Sequence, residues 1–114
     1  MPVDAVSLRA RQRDPGSSIA EQIQALAGGR VRVTLERERP WASITFTGTR
    51  HSFVIERTDA TAPDDMENLA RALPEHEFAM RAYFLADILV TNQSQSRLLV
   101  EALSIIDPVT SCRD

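Results

Sequence analysis

The sequence predicts a two-layer α+β domain with element order α-β-β-β-α-β-β, a five-stranded antiparallel sheet carrying two helices on one face. Three observations carry this expectation. Residues 31–56 largely alternate apolar and polar side chains with period two. Two segments, 18–27 and 63–73, place apolar residues at helical spacing between start and stop signals. The chain has 114 residues, 43% hydrophobic and 25% charged, the size and composition of one globular domain that needs no disulfide or metal to hold a core.

The element order follows along the chain. Residues 1–16 read as a flexible arm with a slight positive bias from Arg9, Arg11 and Arg13, closed by an Asp14-Pro15-Gly16 turn. The domain proper spans 17–108, and 109–114 form a tail. Ser18 and Glu21 make a capping box, so the first helix should start at Ser18, and Ser18→Ala should cost about 1 kcal/mol. Ile19, Ile23, Leu26 and Ala27 share a face, and Gly28-Gly29 stops the helix.

Strands are expected at Val31–Glu36, Ala42–Thr47 and Ser52–Glu56, with turns at Glu38-Arg39-Pro40 and Gly48-Thr49-Arg50. A second helix follows Pro63, with Asp64, Asp65 and Glu67 near its positive end and a Met66, Leu69, Ala70, Leu73 stripe closed by Pro74. Phe78, Met80, Ala82, Phe84, Ala86, Ile88 and Val90 alternate without a break, which predicts one long strand; the alternative is a third helix over 75–90. A polar turn at 92–96 leads to a last strand, Leu98–Ile106, ended by Asp107-Pro108.

Composition excludes several function classes. The net charge of −3 gives no general attraction for nucleic acid or anionic membranes. Arg30, Arg32, Arg37, Arg39, Arg50 and Arg57 interleave with Glu36, Glu38 and Glu56, a mixed strip that collects phosphates poorly, so nucleic acid is not the expected partner. All 13 basic residues are Arg, which fits a GC-rich bacterial genome. The chain carries one cysteine, Cys112, and no apolar run long enough to span a bilayer, so the expected setting is soluble and cytoplasmic.

No catalytic, metal or cofactor motif stands out. His51 and His76 have no second ligand at metal spacing, so neither metal nor cofactor is expected. Gly28-Gly29 leads out of a helix and is a cap, not a phosphate cradle. Asp87, inside the apolar run, reads first as a charge that guards a sheet edge, then as a partner for Arg81, then as a functional acid. His51, His76 and Asp87 are therefore the weak site candidates, and the enzyme or ligand-binding alternative places a pocket between sheet and helices using one of the histidines.

The anomaly is apolar surplus. Tyr83, Leu85, Leu89, Leu99, Leu103 and Ile105 alternate against the residues assigned to the core. A sheet with helices on one side needs one apolar face. The expected function is a small non-enzymatic domain that associates with itself, a homodimer through those six residues, with a different protein as the other partner class. A charge at Leu85 should then split it.

Overall fold

The computed structural model describes residues 14–107, so most of the arm, the tail and Cys112 fall outside the described residues. The fold is α+β, with helices α1 (Pro15–Leu26) and α2 (Asp65–Ala72) and strands β1 (Val31–Ala42), β2 (Thr47–Arg57), β3 (Tyr83–Gln93) and β4 (Arg97–Ile106). A single 3-10 turn, Leu73–Glu75, follows α2. The sheet has four strands, all antiparallel, in the order β1-β2-β4-β3.

The sequence led to five strands, and the miscount lies between residues 31 and 57. Glu38-Arg39-Pro40 is not a turn: these residues lie within β1, where Pro40 pairs with Thr49. β1 is an edge strand, and an edge tolerates a residue without an N–H donor. The true hairpin turn is Ser43–Phe46, centred in the segment assigned to a strand of its own, and Ile44 projects into solvent. Ser43 closes that turn, its N–H donating to Phe46 O and its hydroxyl accepting from the Phe46 N–H. Gly48 likewise lies within β2, where it takes the backbone of Ser104 and Ile105 so closely that no Cβ would fit.

α1 starts earlier than the Ser18 capping box implies. Asp14 is the cap, accepting from Gly16 N and from the Ser17 hydroxyl at 3.0 Å each, and Pro15 sits at the first helical position. Ser18 is already inside the helix, where its hydroxyl accepts from Gln22 Nε2. The cost of about 1 kcal/mol therefore moves to Asp14→Ala, with Ser18→Ala within a few tenths of wild type in urea melts. Gly28 and Gly29 end the helix in the left-handed conformation, φ 69° and 72°.

Strand pairing sorts the sheet into two faces. Val31, Val33 and Leu35 of β1, Phe53 and Ile55 of β2, and Leu98, Val100 and Ala102 of β4 share the inner face. They meet Ile19 and Ile23 of α1 and Met66, Leu69 and Leu73 from α2 and its 3-10 turn in one core. Arg30 ties the start of β1 to α2 through Asp65 at 2.9 Å. That hydrogen bond, with one from the Ala62 N–H, holds the Asp65 carboxyl below the usual carboxylate range.

The run from 78 to 90 is a strand only from Tyr83 onward, and no third helix forms at 75–90. Residues 76–82 form a connection fastened to α1, where Gln22 exchanges hydrogen bonds with both backbone groups of Ala79. Ala82, with φ 66°, makes the corner into β3.

A bulge between Leu85 and Asp87 then breaks the alternation. It corrects the facial assignment: Tyr83 and Leu85 join Ile88 and Val90 on the inner face, and Leu85 packs on the core. Phe84, expected inside, pairs with Ile105 on the outer face. Leu89, Leu99, Leu103 and Ile105 face outward as the alternation of each strand implies.

Candidate functional site

The polar feature with the most chemistry crosses three strands of the inner face. A bulge in β1 between Leu35 and Arg37 reverses the alternation there, so Glu38 rather than Arg37 shares a face with Leu35 and stands directly opposite His51. His51 lies on β2 between two other strands, and Ser104 on β4 is its diagonal neighbour. Glu38 Oε2 lies 2.7 Å from His51 Nδ1, and His51 Nε2 lies 2.8 Å from Ser104 Oγ. An ionised carboxylate only accepts, so Nδ1 carries the proton towards Glu38; in the neutral tautomer that this contact selects, Nε2 would accept from the Ser104 hydroxyl.

Acid, imidazole and hydroxyl thus stand in the order used for nucleophilic catalysis. Access is the difference. His51 and Ser104 are both 0% exposed, while Glu38 reaches solvent at the β1 edge. Gly16 of α1 covers the Glu38–His51 contact so closely that an added Cβ would strike Glu38 and Leu35 and crowd His51. Phe53 stacks beside the imidazole, ring centroids 6.1 Å apart. In this conformation no reacting atom can come within 3 Å of the hydroxyl. Every buried side-chain polar atom among the described residues is satisfied, as a structural network requires.

The other sequence candidates do not converge. His76 stands edge-on to Phe78 with centroids 4.6 Å apart, in a cleft of about 640 Å³ that also includes Glu77 and Asp87. No hydrogen bond joins those three groups. Asp87 is exposed on an edge strand and forms no ion pair with Arg81. A second cleft, about 920 Å³, opens between the start of α2 and the β3–β4 turn, lined by Arg57, Asp64, Glu67 and Gln95 among others. Neither cleft reaches His51. Among the described residues the apolar core fills the space between the two helices and the sheet, and the cleft that includes His76 lies beside it, between β3 and the 74–79 connection. Among the described residues no cluster of His, Cys, Asp or Glu could hold a metal, and no helix is long and apolar enough to cross a membrane.

The outer face is the larger feature. In register across all four strands lie Trp41, Gly48, Ile105 and Phe84, and Phe46 of the hairpin turn meets Phe84 edge-on at 6.2 Å. The next outer row is Arg39, Arg50, Leu103 and Asp87, and beyond it Arg37, Ser52, Glu101 and Leu89. Val54 and Leu99 follow. None of these apolar residues belongs to the core beneath the helices. Phe84 is 39% and Leu89 44% exposed, on the edge strand, while Val54 on β2 and Leu103 and Ile105 on β4 are already buried within the protomer.

The sequence pattern pointed at this face but missed Phe84, because the β3 bulge changes the alternation partway along its strand, and Trp41, because Glu38-Arg39-Pro40 reads as a turn. The Glu38–His51–Ser104 relay was beyond reach for the same reason, being assembled across 66 residues by strand order and one bulge. No protein-family model matches the chain, and no curated protein is similar to it.

Proposed function

We propose that the chain is a small non-enzymatic domain that works as a homodimer, two sheets packed outer face to outer face. The carrying observation is the second apolar face: Trp41, Val54, Phe84, Leu89, Leu99, Leu103 and Ile105 lie opposite the core that both helices serve. In this reading each protomer is two-layered and the assembly places its second sheet about 10 Å from the first.

Four strands spaced at about 4.8 Å and roughly 36 Å long offer on the order of 700 Å², close to the ~800 Å² per partner of a stable interface. A second copy is the economical cover because a two-fold contact uses one patch for both partners. Sedimentation velocity from about 1 to 100 µM tests it. A species of twice the 12.7 kDa chain mass is expected, and a monomer throughout contradicts it.

One observation favours a second reading. The Glu38–His51–Ser104 order is that of an acyl-transfer site, which would operate if α1 lifted Gly16 from the relay. Incubation with a fluorophosphonate followed by peptide mass spectrometry decides between them. The non-enzymatic reading expects Ser104 unlabelled; adduct at Ser104, absent after His51→Gln, would establish the hydrolase.

A further inference from the structure

The charges of the outer face are divided between its two halves. Arg37 and Arg39 on β1 and Arg50 on β2 occupy one side; Asp87 on β3 and Glu101 on β4 occupy the other. Among the described residues none of the five makes an ion pair or side-chain hydrogen bond. Glu56 and Arg97 meet one another across β2 and β4 at 3.6 Å, Arg32 stands opposite Glu56 on the β1 side, and the strand pairing assigns Glu36, in the β1 bulge, to neither half. Arg39 and Asp87 lie in the same row on opposite edge strands, three strand spacings or ~14 Å apart, too far to meet within one protomer.

We infer that the homodimer proposed above has its two-fold axis parallel to the strands, so that Arg39 of one protomer faces Asp87 of the other. The inference rests on that proposal and adds its geometry. Two sheets meeting face to face have two simple in-plane axes. An axis across the strands lays β1 over the partner's β1 and sets Arg against Arg. An axis along the strands lays β1 over the partner's β3 and β2 over the partner's β4, while each row keeps its own level. Row by row this sets Arg39 against Asp87, Ser52 against Glu101, and Arg37 beside Glu101 on the diagonal. The Arg39–Asp87 contact then occurs twice by symmetry. Like charges held across a face oppose association and opposite ones select a register, so the charge division chooses the second axis.

Complementary charge reversal tests this by mixing. Arg39→Asp places Asp against Asp twice in its own homodimer, and Asp87→Arg places Arg against Arg twice. Each variant alone is expected to raise the dimer Kd at least tenfold at low salt, with an unchanged circular dichroism spectrum. Equal mixing of the two should restore association to within about threefold of wild type, as a heterodimer identified by native mass spectrometry, because both contacts again pair Arg with Asp. A wild type that dimerises while the mixture stays as weak as its components overturns the axis and leaves the dimer standing. A monomeric wild type overturns the dimer itself. Arg37→Asp mixed with Glu101→Arg repeats the test at the neighbouring row, and failure of both mixtures excludes this orientation.

Discussion

Replacing His51 with alanine is expected to destabilise the protein by about 3 to 5 kcal/mol, the cost of emptying a fully buried ring site and orphaning its partners. The ring is 0% exposed and its two nitrogens join Glu38 to Ser104 across the inner face. Its loss leaves a cavity beside Phe53 and strands the Ser104 hydroxyl in a dry core. Glu38 suffers less, since it reaches solvent at the edge strand. Against a domain stability of roughly 5–15 kcal/mol, a loss of this size brings much of the population near unfolding at 37 °C. Ser104→Ala, which removes one small group, should cost about 1 kcal/mol. Urea melts of the two variants and wild type supply the comparison, and equal midpoints for His51→Ala and wild type would contradict the buried relay.

The second large effect is on association. Leu89→Arg is expected to raise the dimer Kd at least a hundredfold, which is about 2.8 kcal/mol, with little change in the urea midpoint extrapolated for the monomer. Leu89 is 44% exposed, so the isolated protomer loses almost no packing. In the dimer the new guanidinium meets the partner's Arg37 row, and symmetry imposes that contact twice. Leu85 behaves differently. Its side chain rests on the core beneath the helices, so Leu85→Arg buries a charge there and attacks the fold instead of the interface. Sedimentation and melting curves of these two variants side by side separate the faces.

Much of the architecture was legible in the sequence. The helical stripe at Met66, Leu69 and Leu73, the glycine stop at Gly28-Gly29 and the polar turn before Arg97 all sit where local chemistry places them. The errors in the sheet share one cause. Pro40 reads as a turn signal unless the strand is known to be an edge, and edge position is a property of the whole sheet. The bulges at 35–37 and 85–87 leave no residue signature in this chain, yet each exchanges the inner and outer sets beyond it. That exchange moved Leu85 inward and Phe84 outward, and it brought Glu38 to His51. The cap shifted for a local reason: Asp14-Pro15-Gly16 carries both turn and helix-start chemistry, and the docking of Gly16 against His51 accompanies the second.

Trp41 offers the most direct test of the central proposal, that a second copy covers the outer face. It is the only tryptophan, half-buried, in the row with Gly48, Ile105 and Phe84. Its emission can be followed while the protein is diluted from about 100 to 0.1 µM, through the range in which a standard interface dissociates. The account predicts a red shift whose midpoint coincides with the dimer-to-monomer transition seen by sedimentation, and a shifted spectrum at all concentrations for Leu89→Arg. Emission that stays constant while the dimer dissociates would place the contact on another surface and contradict the account.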